Sequence, residues 1–453
     1  MDEERRQHTR MTETPVGSLV LSLAGPTVVS MLVTSFYNMA DTYFISKLGT
    51  SQSAAVGIVF SIMALIQAVG FTVAMGSGSW ISRLLGARKI DEANTVASSG
   101  FFAALLFGCL VTVTGTVFLS PLMRLLGATE TIQPHAEAYA KYILLAAPVM
   151  MGSFLLNMVL RAEGKAKFAM VGIGTGGILN VLLDPLFIFT FGLGNAGAAI
   201  ATALSQCVGF AILLSSFLRG RTATKLALRS ISRRVGIYVN ILKFGFPSLC
   251  RQGLASVATV ALNVNAAAYG DAAVAAMSIV NKIFMFVFSM MLGIGQGYQP
   301  VAGYNYGSKH FSRVKEGFFF TAKLGTVTLT SFALFGFLTA PTLVRLFIAD
   351  ETVVAIGARA FRAMCLALPL IPTCVTTNMS YQSTGKAGTS TFLATLRQGL
   401  FFIPTILILP KYLGLTGVQI TQALADGATF LAPSASSGTS TKRGKGPGRS
   451  RPK

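Results

Sequence analysis

The sequence predicts an all-α polytopic membrane protein of about 12 transmembrane helices in two six-helix lobes, and three observations carry that expectation. Of the 453 residues, 52% are hydrophobic and only 12% are charged, too apolar a balance for a soluble fold with a polar surface. The apolar residues gather in runs near 20 residues or longer, each enough to cross about 30 Å of hydrocarbon as a helix. Landmarks also return at a spacing of 221 residues: Pro26, Gly49, Gly76, Gly86, Pro148, Asn157, Gly164 and Lys165 recur as Pro247, Gly270, Gly297, Gly307, Pro369, Asn378, Gly385 and Lys386. A gapless internal period marks a duplicated unit. Six spans per copy is an even number, so both copies enter the membrane in the same direction, which places the pseudo-twofold axis along the membrane normal.

Residues 1–15 carry charges of both signs and form a cytoplasmic N-terminal segment. The first apolar run, near 16–40, is too long for the core of a signal peptide and reads as the first span. Spans follow near 52–78, 94–120, 136–156, 168–191 and 196–218, completing an N-lobe over 16–218. A basic cytoplasmic connector at 219–238 leads into a C-lobe over 239–431, with spans near 239–265, 272–299, 316–340, 354–378 and 389–410. A weaker twelfth span runs from Leu415 to Leu431. Beyond it the chain turns to Ala432-Pro433-Ser434-Ala435-Ser436-Ser437-Gly438 and a basic tail, so 432–453 has disordered composition and the twelfth span is expected to be short.

Basic residues set the sidedness. Arg83, Arg88 and Lys89, then Arg161, Lys165 and Lys167, then Lys309, Arg313, Lys315 and Lys386, together with the connector, all follow even-numbered spans. The positive-inside rule therefore places both termini in the cytoplasm. It also accounts for most of the formal charge of +21 without nucleic acid, since no soluble domain concentrates that charge. The five cysteines fall inside apolar segments with no metal-ligand or CxxC spacing, as small buried hydrophobes would. No His-Glu-x-x-His or Gly-x-Ser-x-Gly motif is present, and His8, His135 and His310 lie at the terminus or in loops, so no enzyme is expected.

Ionisable side chains inside hydrocarbon cost about 2.5–3.5 kcal/mol each on insertion scales, which makes them the first functional candidates. Tyr37 and Asp41 sit four apart on one face of the first span. Asn180 and Asp184 repeat that spacing on the fifth, just before Pro185, which frees a carbonyl one turn back. Thr202 and Gln206 follow on the sixth, and the fourth span offers Tyr139 and Asn157. Such oxygens suit a hard monovalent cation. They equally suit a proton site, or interhelical hydrogen bonding with Asp41 reaching interfacial water. The second copy has Leu262 where the first has Asp41, so coupling chemistry is expected in the N-lobe. Its intramembrane charges are cations, Arg251, Lys282, Lys323 and Arg397, with Lys282 deepest. Lys282, Met285, Gln206 and Asn378 are the candidates for a substrate cavity, Met285 as soft, adaptable surface. The glycine clusters at Gly76-Ser77-Gly78 and Gly293-Ile294-Gly295-Gln296-Gly297 predict close helix packing.

With these residues laid out, the chain resembles the multidrug and toxic compound extrusion (MATE) family, in its branch of bacterial multidrug exporters. The segments that carry the resemblance are Tyr37-Asn38-Met39-Ala40-Asp41-Thr42, Ile81-Ser82-Arg83-Leu84-Leu85-Gly86-Ala87, Leu160-Arg161-Ala162-Glu163-Gly164, Asn180 through Phe189, Gly297-Tyr298-Gln299-Pro300 and Gly303-Tyr304-Asn305-Tyr306-Gly307. The resemblance implies two six-helix lobes and export of lipophilic, often cationic compounds in exchange for Na⁺ or H⁺. It assigns the cation site, a Na⁺ site where the coupling ion is a metal, to Asp41, Asn180, Asp184 and Thr202, with Tyr37, Tyr139 and Asn157 nearby. It further implies the bacterial plasma membrane, with no cofactor beyond the coupling ion; because one chain holds both lobes, a monomer is expected. A flippase for lipid-linked saccharide precursors is the alternative that the same architecture allows; Lys282 and Arg251 favour it slightly.

Overall fold

The computed structural model describes the backbone of residues 2–440 and the side chains of 5–49 and 51–431. Every regular element among them is helical: α1 Asp2–Glu13, α2 Val16–Ser46, α3 Thr50–Gly86, α4 Ile90–Val117, α5 Leu119–Leu125, α6 Gln133–Ala162, α7 Ala166–Pro185, α8 Gly194–Leu218, α9 Val235–Ala267, α10 Asp271–Gly307, α11 Phe311–Arg345, α12 Glu351–Ala367, α13 Ile371–Ser383, α14 Ala387–Thr395, α15 Ile403–Leu413 and α16 Leu415–Ser440. Ten stretches of the described chain are long and apolar enough to cross a membrane, α12–α13 and α14–α15 each counting as one. α9 and α16 occupy the places of the seventh and twelfth expected spans. The chain is a multi-pass, all-helical membrane protein.

Two boundaries differ from the sequence expectation. Residues 2–13, expected as a charged segment without assigned structure, form α1. The last helix runs to Ser440, nine residues past the expected end at 431. Ala and Ser there do not oppose a helix strongly, and one proline removes a single backbone donor without ending the element. The remainder of the expected tail, 441–453, lies outside the described residues.

The 221-residue period extends to the backbone of the turns. Lys89 N–H donates to Leu84 O and His310 N–H to Asn305 O; Lys165 N–H donates to Leu160 O and Lys386 N–H to Tyr381 O. Arg88 (φ 58°) and Lys309 (φ 64°), one period apart, are the two non-glycine residues with left-handed backbone among those described. Gly164 and Gly385 share the left-handed C-terminal turn at φ 79° and 82°. Even a side-chain bond repeats: Asn157 Nδ2 donates to Ala169 O at 3.0 Å and Asn378 Nδ2 to Ser390 O at 2.6 Å.

The chain divides into two compact units. The first holds residues 1–256, 283–325 and 375–394. Within it the repeat glycines pack reciprocally. A Cβ on Gly86 would strike the carbonyl oxygen of Tyr304, and one on Gly307 would strike that of Arg83, each contact being the other shifted by one period. Gly76 meets the backbone of Ile241 and Gly245, as Gly297 meets that of Ala24. The two copies therefore cross by a pseudo-twofold relation in which only a missing side chain lets the backbones approach. α1 docks into the same unit: Met11 is fully buried, Asn305 Nδ2 donates to Met11 O at 3.1 Å, and the His8 ring lies 5.5 Å from that of Tyr304.

The second unit holds residues 257–282, 326–374 and 395–453. Its main polar feature is an ion pair between Arg397 Nε and Asp426 Oδ1 at 2.6 Å, joined by Gln422 Nε2 at 3.0 Å. Pairing with Asp426 removes much of the penalty of burying Arg397 in an apolar span. Tyr269 Oη donates to Pro410 O at 3.0 Å, and Asp350 caps α12 by accepting from the N–H of Thr352 at 2.8 Å.

Candidate functional site

Two features of the first unit meet on α7 and α8, a polar cluster and a cavity. The cluster begins with Pro185. It cannot donate to Val181, and the helix widens after it into a π-helical turn at Leu186–Thr190, where Phe191 N–H donates to Leu186 O at 3.0 Å. One residue before the proline, Asp184 is fully buried, and its Oδ1 accepts from Asn180 Nδ2 at 3.2 Å. The same amide donates to Thr202 Oγ1 on α8 at 3.2 Å. α7 and α8 come this close because glycines line their seam: Gly176 abuts Ser205 O, and Gly209 abuts Gly172 O.

Asp41 stands on α2, five residues before its end, and its Oδ2 accepts from Tyr139 Oη at 3.5 Å. Tyr139, fully buried on α6, lies within electrostatic reach of both Asp41 and Asp184. The structure thus brings together Asp41, Tyr139, Asp184, Asn180 and Thr202 from four helices. Three buried oxygens of this group, Asp41 Oδ1, Asn180 Oδ1 and Asp184 Oδ2, accept no hydrogen bond. An unmet buried acceptor costs about 1–3 kcal/mol, more when charged. Asn180 Oδ1 and Asp184 Oδ2 belong to one hydrogen-bonded group and Asp41 Oδ1 to the neighbouring Asp41–Tyr139 pair; we call these residues the nest, and such oxygens have the chemistry that a proton or a hard monovalent cation satisfies. No group of three or more His, Cys, Asp or Glu among the described residues forms a transition-metal site.

Beside this nest lies a cavity of about 370 Å³, lined only by residues of the first unit. Asn180 and Thr202 belong to both features. Tyr37 lines the cavity, its ring packed on Gly177, and so do Gln206 and Met285. Six methionines and the stacked pair Phe71–Phe154, with ring centroids 4.6 Å apart, give it a soft apolar wall. Asn157 reaches the cavity too, but its amide N–H₂ is bound to Ala169 O, which makes it a brace between α6 and α7.

Two expected cavity residues stand elsewhere. Lys282 is exposed and is not among the described residues that line the cavity. Asn378 lies behind the wall, where its Oδ1 accepts from Arg251 Nη1 at 3.3 Å and its amide braces Ser390. Sequence reasoning missed Arg161, Ser153, Ser205 and Gln296, all of which line the cavity. Arg161 was counted as a cytoplasmic charge, yet it is only 2% exposed. Its place inside the last turn of an apolar helix, one residue before Ala162 and two before a fully buried Glu163, was the available signal.

Comparison with known proteins follows the same division of the chain. A family model described as MatE matches residues 26–186 and again 247–408, the second match starting one repeat period after the first. The chain is 28% identical over 414 residues to the multidrug export protein MepA of Staphylococcus saprophyticus, covering 90% of each. It is 26% identical over 421 residues to MepA of Staphylococcus aureus, covering 93% of each. A solved structure described as the outward-facing conformation of a multidrug resistance MATE family transporter of the MOP superfamily superposes with a TM-score of 0.90 at 28% identity, over 96% of this chain and 98% of that one. A MATE crystal structure in complex with MaL6 gives 0.89 at 29%, over 94% and 96%.

Proposed function

The chain belongs to the MatE family, and from that membership we propose that it is a multidrug efflux antiporter that moves lipophilic compounds out of the cell in exchange for Na⁺ or H⁺. The coupling ion enters the nest of Asp41, Asn180, Asp184 and Thr202, and the exported compound occupies the methionine-lined cavity. One observation carries the reading: three buried oxygens without donors sit beside a cavity that shares Asn180 and Thr202 with them.

The physical logic is a competition for those oxygens. Without a bound ion, the carboxyl groups of Asp41 and Asp184 are held in apolar spans with acceptor oxygens unmet. A bound cation satisfies those acceptors, and Asn180 and Thr202 pass the change to the cavity wall. An ion that prefers one arrangement of α7 and α8 shifts their equilibrium by its differential affinity. Each charge that enters with the membrane potential supplies about 2.3 kcal/mol per 100 mV. One chain carries both repeats, so a monomer in the plasma membrane, both termini cytoplasmic, suffices.

The purified chain should take up a coupling cation, read either as radioactive Na⁺ retained or as protons released when the pH is raised. Asp41→Asn and Asp184→Asn should each abolish that uptake. Full uptake by both variants would show that the ion binds elsewhere.

A further inference from the structure

The cavity wall has an unusual charge balance for a site that accepts cations. Its only charged residues among those described are Arg161 and Arg251; no Asp, Glu, Lys or His lines it. Arg161 is 2% exposed, and one of its guanidinium nitrogens donates to Gln296 Oε1. Its Nε and Nη2 are buried without a partner. Arg251 has neutral partners only, Asn378 Oδ1 at 3.3 Å and Ser248 Oγ at 3.4 Å, both long. A buried guanidinium with no counter-charge is expensive to hold, and most buried charges are paired.

The duplicated architecture shows that the fold does not need these charges. One period on from Arg161 the second copy carries Gln382, in a turn with the same backbone bonds. Gln382 is fully engaged: its amide N–H₂ donates to Phe244 O at 3.1 Å and Ser248 Oγ at 2.9 Å, and its oxygen accepts from Gln299 at 3.2 Å. The counterpart of Arg251 in the first copy is Ser30, bonded to Pro26 O at 2.9 Å. A neutral residue completes each position without an orphan. The arginines therefore add something that packing does not ask for, and both add it to the lining of one cavity.

We propose that the cavity recognises amphipathic compounds through an acidic oxygen group, a carboxylate, sulfonate or phosphate, held by Arg161 with Arg251 supplying the second charge. The proposal rests on the reading of this cavity as the substrate site. Guanidinium matches such groups in a planar, two-bonded fashion, and the free Nε–Nη2 edge of Arg161 is the edge that makes it. The apolar body of the compound packs on Met75, Met158, Phe71 and Phe154, and the buried hydroxyls of Ser153 and Ser205, both without partners, are available to further oxygens.

The test compares two ligands of one shape on the full chain in nanodiscs: N-dansyl-leucine, which carries a carboxylate, and its methyl ester, which does not. The carboxylate should bind about tenfold or more tightly than the ester, as a charge-assisted pair predicts. Arg161→Gln should collapse that ratio toward one, Arg251→Gln should lower it several-fold, and Arg161→Lys should retain part of it. Equal affinities for the two ligands in the unmodified chain would overturn the proposal whether or not any variant folds. So would an unchanged ratio in both glutamine variants. Repeating the measurement with and without phosphatidylglycerol in the disc assigns the source. Displacement of the carboxylate but not the ester identifies a lipid headgroup as the anion, and no displacement identifies a soluble compound; the arginine site stands in either case. Gradient-driven efflux by the unmodified chain separates this proposal from the antiport reading. A carboxylate preference in an unmodified chain that exports under neither a Na⁺ nor a pH gradient contradicts antiport alone, whereas a missing preference in a chain that still exports contradicts the arginine site alone.

Discussion

His8 shows how much one side chain contributes when it sits at a junction. Its Nδ1 meets Tyr304 Oη at 3.2 Å and its Nε2 accepts from Arg88 Nε at 3.4 Å, which needs a neutral ring. Burial, then the neighbouring Arg88 and His310, hold its pKa below the ordinary 6.5. A depressed histidine favours the docked state when neutral, so its contribution is complete above 6.5 and is lost as the pH falls through the lower folded value. Protection of the amides across 5–13, taken relative to the intrinsic exchange rate at each pH, should therefore fall at acidic pH, and His8→Gln should remove that dependence; identical protection at acidic and neutral pH in the unmodified chain would contradict the account. Legibility at this scale followed the expected environment. Asp41, Asn180, Asp184 and Thr202 stood out because polar groups inside apolar runs are costly, and the structure gathers them. Arg161 did not, because a basic residue at a helix end reads as a sidedness marker. Lys282 illustrates the converse: depth within a span does not say which face of the helix a residue occupies, and this one is exposed.

At the scale of elements, the spans were legible from apolar runs alone, since hydrocarbon thickness fixes their length. The two irregular turns, Leu186–Thr190 and Leu396–Phe402, were not. Pro185 hinted at the first, but propensity does not distinguish a kink from a widened turn, which depends on the neighbour that packs against it; Gly197, at the start of α8, seats on Phe187 O. α1 escaped notice because its buried face is short and its partners are distant in sequence. The glycines make the sharpest prediction. Gly86→Ala and Gly307→Ala each place a methyl on a backbone carbonyl of the opposite copy, and overpacking of this kind costs about 1–3 kcal/mol or more. Both should lower the thermal unfolding temperature by similar amounts, because the contacts are related by one period. Gly57→Ala, with nothing within 4 Å of its added Cβ, should not lower it and should raise it slightly, since alanine is the better helix former. A large difference between the first pair would mean that the crossing is not reciprocal.

For the whole molecule, the duplication was the most legible property, because the period survives in turns and helix crossings where glycine and proline have no substitute. What the repeat does not determine is where the copies diverge. The first has Asp41 where the second has Leu262, and it has Arg161 where the second has Gln382. The proposed coupling and substrate sites lie at those departures from symmetry. The nest and the cavity both lie in the first unit, with Asn180 and Thr202 in common. The central claim is that ion occupancy of the nest drives export through that cavity. The most direct test is efflux of a fluorescent lipophilic compound from proteoliposomes containing this chain, with Na⁺ and pH gradients imposed separately, beside Asp184→Asn. Efflux that follows one gradient and is lost in the variant, while the variant still binds the compound, is the predicted result. Efflux from Asp184→Asn equal to that of the unmodified chain would contradict it.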